Sequence, residues 1–317
     1  MKKFEKTPFK TVLTGLPVSN HAFDFFSIMK FLSPKILAFR SFGRFKERYG
    51  IKSPYGDWYI GYKNLPELKR RIEPFSFFRP KEKCVDLPPK VYEVRKLEMT
   101  QLQKRLYKEA EKEFLIEFEE NQVLVGNVLV KLMKLSQITS GFFYNESHVP
   151  VWFEENSPKI LELKSLLEEF KNQAKIVIWA RFIEELNQIQ KILEELKFTV
   201  ERLDGAVKDR FSRVERFRES GFETVLLSQL ATGKYGLNFT CGEKRIEVIY
   251  FSNSYSLSDR VQSEARTYRI GSGNSITYTD LIVKNSIDEQ ILEALRKKKS
   301  LGDYLLKKEK DESERED

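Results

Sequence analysis

The sequence predicts an α/β fold built on a parallel sheet, and three observations carry that expectation. From residue 157 onward, short apolar runs alternate with segments of helical periodicity, the pattern of strands joined by crossover helices. One apolar run, TVLLS at 224–228, opens into a loop holding Gly233, Gly236 and Gly242. Glycine there permits positive φ and close approach of backbone to a ligand. One strand further on, QSEARTYRIG sets Gln262, Arg266 and Arg269 at steps of four and three, which on a helix return to one face. Arginine keeps its charge near neutral pH and its planar fork matches two phosphate oxygens. An ordinary solvated face is the alternative for these arginines.

The elements follow in order. Residues 11–13 form a short expected strand, then a turn with Gly15 and Pro17, then an apolar-rich helix carrying Phe23, Phe26, Ile28 and Phe31 and ending before Pro34. Residues 35–90 interleave aromatic and basic side chains, which suits either a local core or a grip on nucleic acid by phosphate pairing and stacking. A strand is expected from Lys90 through VYEVRKLEM. A helix follows behind a capping box of Thr100 and Gln103, with Leu102, Leu106, Ala110 and Phe114 at helical spacing. A second helix would turn Val125, Val128, Leu129, Leu132 and Leu135 inward and stop at Gly141.

After a connector at 148–156, Ser157 is the expected N-cap of a helix with Pro158 at its first position. KIVIWA then leads to a helix with Ile183, Leu186, Ile189 and Leu193. FTVERL leads to Asp204-Gly205 and a basic helix with Arg210, Arg213 and Arg216. TVLLS, VIYFS and YTDLIVK complete the strands, and a last helix opens with the capping-box pair Ser286 and Glu289. The final eleven residues are nearly all charged, a composition expected to be disordered.

Composition narrows the class of protein. The charged fraction of 32% and mean hydropathy of −0.46, with no apolar run near the ~20 residues a bilayer demands, argue against a membrane protein. The basic start MKKFEKTPFK has no apolar core and does not read as a signal peptide. Two cysteines, Cys84 and Cys241, and two histidines leave no disulfide framework and no structural zinc pattern. The net charge of +8 suits a polyanionic partner, and it equally suits simple solubility.

The loop after TVLLS and the QSEARTYRIG stretch resemble motifs V and VI of the Swi/Snf-type helicase-like ATPases, DNA translocases with two RecA-like lobes. Motif VI, Q-x-x-x-R-x-x-R-I-G, is intact from Gln262 to Gly271. Motif V, roughly S-x-x-A-G-G-x-G-L-N-L, is recognisable in Ser228, Ala231, Gly233, Gly236, Leu237 and Asn238, with Thr232 where glycine is usual and one extra residue around Lys234. Thr14, Gly15, Pro17 and Asn20 match motif III, with Leu16 in place of threonine. IVIWARF resembles motif IV, and RLDG the family's R-x-D-G block.

The resemblance implies a division of the chain and a set of roles. Residues 1–34 would end the first RecA-like lobe, 35–150 would form a mainly helical insertion, 151–306 the second RecA-like lobe, and 307–317 a tail. It implies Arg269 as an arginine finger with Arg266 and Gln262 beside it, and Gly236, Asn238 and Gly15 near the nucleotide. Arg181, Ser228, Gln229 and Lys234 would lie on the backbone of double-stranded DNA. ATP and Mg2+ are the implied cofactors, and a cytoplasmic or nucleoid-associated location follows. Neither G-x-x-x-x-G-K-[ST] nor D-E-x-H occurs in the chain, and the nearest string is ATGKYG. ATP chemistry would therefore depend on a complementing N-terminal ATPase lobe, as a separate chain or a preceding segment. A non-catalytic DNA-binding or regulatory module is the alternative.

Overall fold

The computed structural model describes residues 7–306 apart from 55–57, 82–83, 120–124, 146, 154–156 and 235; the side chains of 113–119, 125–129, 233 and 234 also lie outside the described residues. The chain forms two compact units, one of residues 1–84 with 256–258 and 294–317, the other of 85–255 with 259–293. The expected tail at 307–317 and the inward positions Phe114, Val125, Val128 and Leu129 fall outside the described residues.

The first unit holds helices α1 (Asp24–Leu32), α2 (Pro34–Leu37), α3 (Phe42–Tyr49) and α4 (Leu65–Ile72), with β1 (Gly50–Lys52) antiparallel to β2 (Tyr59–Tyr62). The Asp24 carboxylate accepts from the amides of Ser19 at 2.9 Å and Asn20 at 3.0 Å, closing the turn ahead of α1. Its buried face is Phe25, Phe26 and Met29; Ile28 and Phe31 are only half-buried. Phe45, Tyr49, Leu68 and Ile72 complete the core, so much of the aromatic stretch is local core. The strand expected at 11–13 does not form. Leu13 is 91% exposed, and among the described residues no strand pairs with this three-residue run to hold it extended.

The second unit begins with β3 (Lys90–Leu97), α5 (Gln101–Glu119), α6 (Val125–Ser140), β4 (Phe142–Tyr144), β5 (Pro150–Trp152) and α7 (Pro158–Phe170). It continues through β6 (Lys175–Ala180), α8 (Ile183–Glu195), β7 (Thr199–Leu203), α9 (Arg210–Glu219), β8 (Thr224–Gln229), β9 (Ile246–Tyr250), α10 (Leu257–Thr267) and β10 (Ile276–Val283). The last helix, α11 (Ile287–Leu306), starts in this unit. Six strands make one parallel sheet in the order β3-β10-β9-β6-β8-β7.

The period-two pleat sorts the apolar runs onto two faces. Ile176, Ile178, Val225 and Leu227 pack with α7 and α8, while Val177, Trp179, Leu226 and Val248 pack with Phe217 of α9 and Tyr268. Both faces are covered, which is why these strands read as unbroken apolar runs. β3, expected within the insertion at 35–150, pairs with β10 residue for residue from Lys90↔Ile276 to Leu97↔Val283. The sheet therefore reaches back before 151, and the two units part at 84/85.

The helix ends follow the expected signals with two differences. Thr100 and Gln103 form the reciprocal capping box, at 3.0 and 3.2 Å, and Gly141 at φ +100° stops α6. Ser157 precedes α7 but its hydroxyl donates to the Ser140 carbonyl rather than capping. At α11 the Ser286 hydroxyl accepts from Asp288 N at 3.1 Å, while Glu289 reaches back to Asn285 N.

Candidate functional site

The carboxyl ends of β6 and β8 are adjacent, with Ala180 paired to Gln229. Gln229 Nε2 donates to the Arg181 carbonyl at 3.3 Å, so the structure brings Arg181, Ser228 and Gln229 together. The anchor of this edge is Glu185, fully buried, which the sequence reasoning missed. Its carboxylate accepts from the Arg181 and Phe182 amides at 2.9 Å each, from Ser140 Oγ at 2.5 Å and from Ser252 Oγ at 2.6 Å. An acid five residues after the end of an apolar strand was the available signal.

The side chains here differ in what they offer. Arg181 lies over the Phe182 ring at 4.9 Å and donates to Ser136 Oγ at 3.4 Å; burial pulls its pKa down, with Glu185 acting against it. Ser228 is 1% exposed and faces Thr232 Oγ1 at 3.4 Å, which sets its hydroxyl inside the protein rather than on a surface a strand could touch. Thr232, standing where the family has glycine, donates to the Gln229 carbonyl at 2.7 Å and ties the loop to its own strand. The Lys234 backbone ends a short turn at Leu230–Lys234, and its side chain lies outside the described residues.

The loop then crosses toward the start of β9. Gly236 takes φ +60°, a left-handed conformation that a side chain would strain. Asn238 Oδ1 accepts from Thr240 N at 3.2 Å and Thr240 Oγ1 at 3.0 Å, so its carbonyl shapes the loop. The Phe239 amide donates to the Arg266 carbonyl at 2.9 Å, joining the glycine loop to α10. Gly15 belongs to the first unit, has no positive φ, and would meet nothing within 4 Å if it carried a Cβ.

α10 runs antiparallel to β10: Arg260 reaches Asp280 and, two turns on, Thr267 Oγ1 reaches Tyr278 OH at 3.0 Å. Arg266 therefore emerges near the amino ends of the strands, at the edge opposite Arg181 and Gln229. Gln262 and Arg266 share a helix face as expected. Arg269 does not, because α10 ends at Thr267. It sits in a turn fixed by Ser272, whose hydroxyl donates to the Thr267 carbonyl at 2.8 Å, and by Gly271 at φ +97°. Burial, and then the like charge of Arg269, pull the Arg266 guanidinium below its usual pKa. Among the described residues the Arg269 guanidinium has no hydrogen-bond or ion-pair partner.

Behind these arginines lies a buried ionic network that sequence reasoning also missed. Arg260 binds Asp280, Asn253 and Glu264, and Glu264 accepts from Tyr92 OH at 2.8 Å. The signals were present: Arg260 and Glu264 four apart, and Asp280 alone in an apolar strand. Among the described residues, no group of three or more His, Cys, Asp or Glu could hold a metal ion, and no helix is long and apolar enough to cross a membrane.

A parallel sheet with a glycine loop after one strand, and one arginine in the last turn of the next helix with a second just beyond it, defines a RecA-like helicase lobe. The SNF2-related domain matches residues 2–196 and the helicase conserved C-terminal domain matches 158–271; the chain belongs to the SNF2-related family. An uncharacterized ATP-dependent helicase of Mycoplasma genitalium is 26% identical over 303 residues, 93% of this chain and 28% of the relative. Chromodomain-helicase-DNA-binding protein 1 of Homo sapiens is 26% identical over 325 residues, 96% of this chain and 18% of that protein. The chain thus spans less than a third of the length of these relatives. Among solved structures, the Sulfolobus solfataricus SWI2/SNF2 ATPase core in complex with dsDNA aligns with TM-score 0.54 and 25% identity, over 89% of this chain and 59% of that one. The C-terminal part of the Fun30 ATPase domain aligns with TM-score 0.56 and 20% identity, over 70% and 98%, a likeness of fold.

Proposed function

We propose that the chain is the C-terminal part of an ATP-dependent translocase on double-stranded DNA, in which Arg269, supported by Arg266, stabilises charge on the transferring phosphoryl group. One observation carries this: two neighbouring guanidiniums, one pulled down in pKa by burial and by the other, stand in the last turn of α10 and in the turn just after it, and the helix end is tethered to the glycine loop. Like charges held together favour an anion between them, and a phosphate offers paired oxygens to each fork. These residues fit a nucleoside triphosphate approaching from outside this lobe. ATP with Mg2+, when bound, supplies the phosphoryl group.

The chain's own residues then orient and stabilise. Gly236 lets the loop backbone come close, Asn238 and Thr232 hold the loop in shape, and Gln262 lies on the Arg266 face of α10. Arg181, Gln229 and Lys234 are proposed contacts to the DNA backbone at the other edge of the sheet, with Ser228 bracing the loop from inside. The names of the relatives, ATP-dependent helicases and a SWI2/SNF2 core bound to dsDNA, support both substrates.

The test is complementation. The purified chain alone should not hydrolyse ATP, since it has no recognisable P-loop or D-E-x-H box. A separately expressed lobe carrying both is added, and DNA-stimulated phosphate release is measured. Activity only in the mixture supports the proposal; robust activity from the chain by itself overturns it. Duplex binding with no turnover in the mixture would make the chain a non-catalytic module.

A further inference from the structure

The first unit contains a cavity that the translocase reading does not use. It measures about 370 Å³ and is lined by His21, Phe23, Lys46, Trp58, Tyr59 and Tyr62 among others. Volumes of this order suit a small planar ligand. Its floor is a packed ring cluster: the Phe23 ring meets Tyr59 and Tyr62 edge-on at 5.2 and 5.3 Å, and His21 Nδ1 lies 3.2 Å from Tyr62 OH. Gly50 is required beneath it, since a Cβ there would fall 2.2 Å from the Tyr59 ring. Phe45 and Tyr49 of this stretch went into the core, whereas Trp58 stays 46% exposed at the cavity, and its carbonyl is fixed by Ser53 N at 2.8 Å.

Charge selects the ligand. An aromatic cage for a cation needs electron-rich faces without a competing cation. Here the Lys46 ammonium already lies 5.3 Å from the centre of the Tyr59 ring, and among the described residues no carboxylate lines the cavity and none pairs with Lys46. The surrounding segment has the same sign: residues 1–84 hold 18 Lys and Arg against 7 Asp and Glu, net +11, while the whole chain is +8. Planar, anionic and polymeric describes one chemistry. We propose that this cavity takes an unpaired nucleobase of a DNA strand, the base against Trp58 and Tyr59 and a flanking phosphate at Lys46.

This inference goes beyond the proposed ATP-driven action on duplex DNA and does not depend on it. Intrinsic fluorescence of the full chain tests it. Of the three tryptophans, Trp179 is fully buried and Trp152 is stacked on Phe142, so Trp58 is the one a base can cover. Titration with single-stranded oligothymidylate should quench the emission saturably, at a Kd about tenfold below that for a blunt duplex of equal length. Trp58→Leu, followed by anisotropy of a labelled single strand, should raise Kd about tenfold. Lys46→Met should flatten the salt dependence by about 0.7 in slope, the share of one single-strand phosphate. Both variants should keep wild-type duplex binding, which separates this result from failure of the translocase reading. No saturable quenching, equal quenching by the blunt duplex, or unchanged strand affinity in both variants would overturn the proposal. So would a cavity that binds a peptide and not the strand.

Discussion

The guanidinium of Arg260 holds both carboxylate oxygens of Asp280, Nη2 to Oδ2 at 3.1 Å and Nη1 to Oδ1, with the two residues only 7% and 3% exposed. Burial works against the charge on Arg260, but Asp280, Tyr250 and Glu264 outweigh it and its pKa is raised. The pair pins α10 to the sheet. Arg260→Met should destabilise the fold by about 3–5 kcal/mol in urea unfolding, because it strands a buried carboxylate. Arg260→Met with Asp280→Leu should cost less than the two single changes summed; strict additivity would show that the pair is not coupled.

Arg269→Ala, in the chain complemented with a P-loop lobe, should lower DNA-stimulated ATP turnover by about 10³-fold or more. Duplex affinity should stay within about twofold, since Arg269 and Arg181 lie at opposite edges of the sheet. Wild-type turnover in the variant would remove Arg269 from the chemistry.

Duplex binding by the chain should be independent of sequence and steeply dependent on salt. With ~3–5 phosphate contacts, log K should fall against log salt with a slope of roughly −3 to −4. Filter binding between low and physiological salt measures it, and a flat profile would refute a grip on the backbone.

Lys175 gives a pH signature. Its buried ammonium donates to the Gly221 carbonyl at 2.7 Å and Ser220 Oγ at 3.0 Å, and burial pulls its pKa down to about 8 from 10.5. Between these values the unfolded chain binds more protons than the folded one. The contribution of Lys175 to stability therefore rises as pH climbs from about 8 toward 10.5 and is lost as pH falls through about 8, with a slope of at most about 1.4 kcal/mol per pH unit. Comparing urea midpoints of wild type and Lys175→Met across pH 7.5–10 should show this rise only in the wild type.

How far the fold was legible depended on whether local pattern or distant pairing decided. TVLLS, VIYFS and KIVIWA announced strands buried on both faces, and the sheet contains all three. VYEVRKLEM also announced a strand, but nothing in its letters says that its partner lies some 180 residues on, in β10. Residues 11–13 had the composition of a strand and no neighbour to make them one. At the candidate site, spacing placed Gln262 and Arg266 on one face. It could not show that the helix stops before Arg269, because that stop is made by Gly271 and the Ser272 hydroxyl. Glu185 and Asp280 were visible only as acids in apolar surroundings, and their partners come from elsewhere in the chain.

The hydrogen bond from the Phe239 amide to the Arg266 carbonyl involves no side chain. Short of proline at 239, no single substitution deletes its donor or its acceptor. The pairing of loop and helix is therefore inherited with the path of the backbone, while the letters hung on that path are free to drift. Thr232 sits in the same loop, and its hydroxyl bonds the Gln229 carbonyl and takes no part in that tether. A lineage can rewrite much of this segment and still deliver its arginines to the same address.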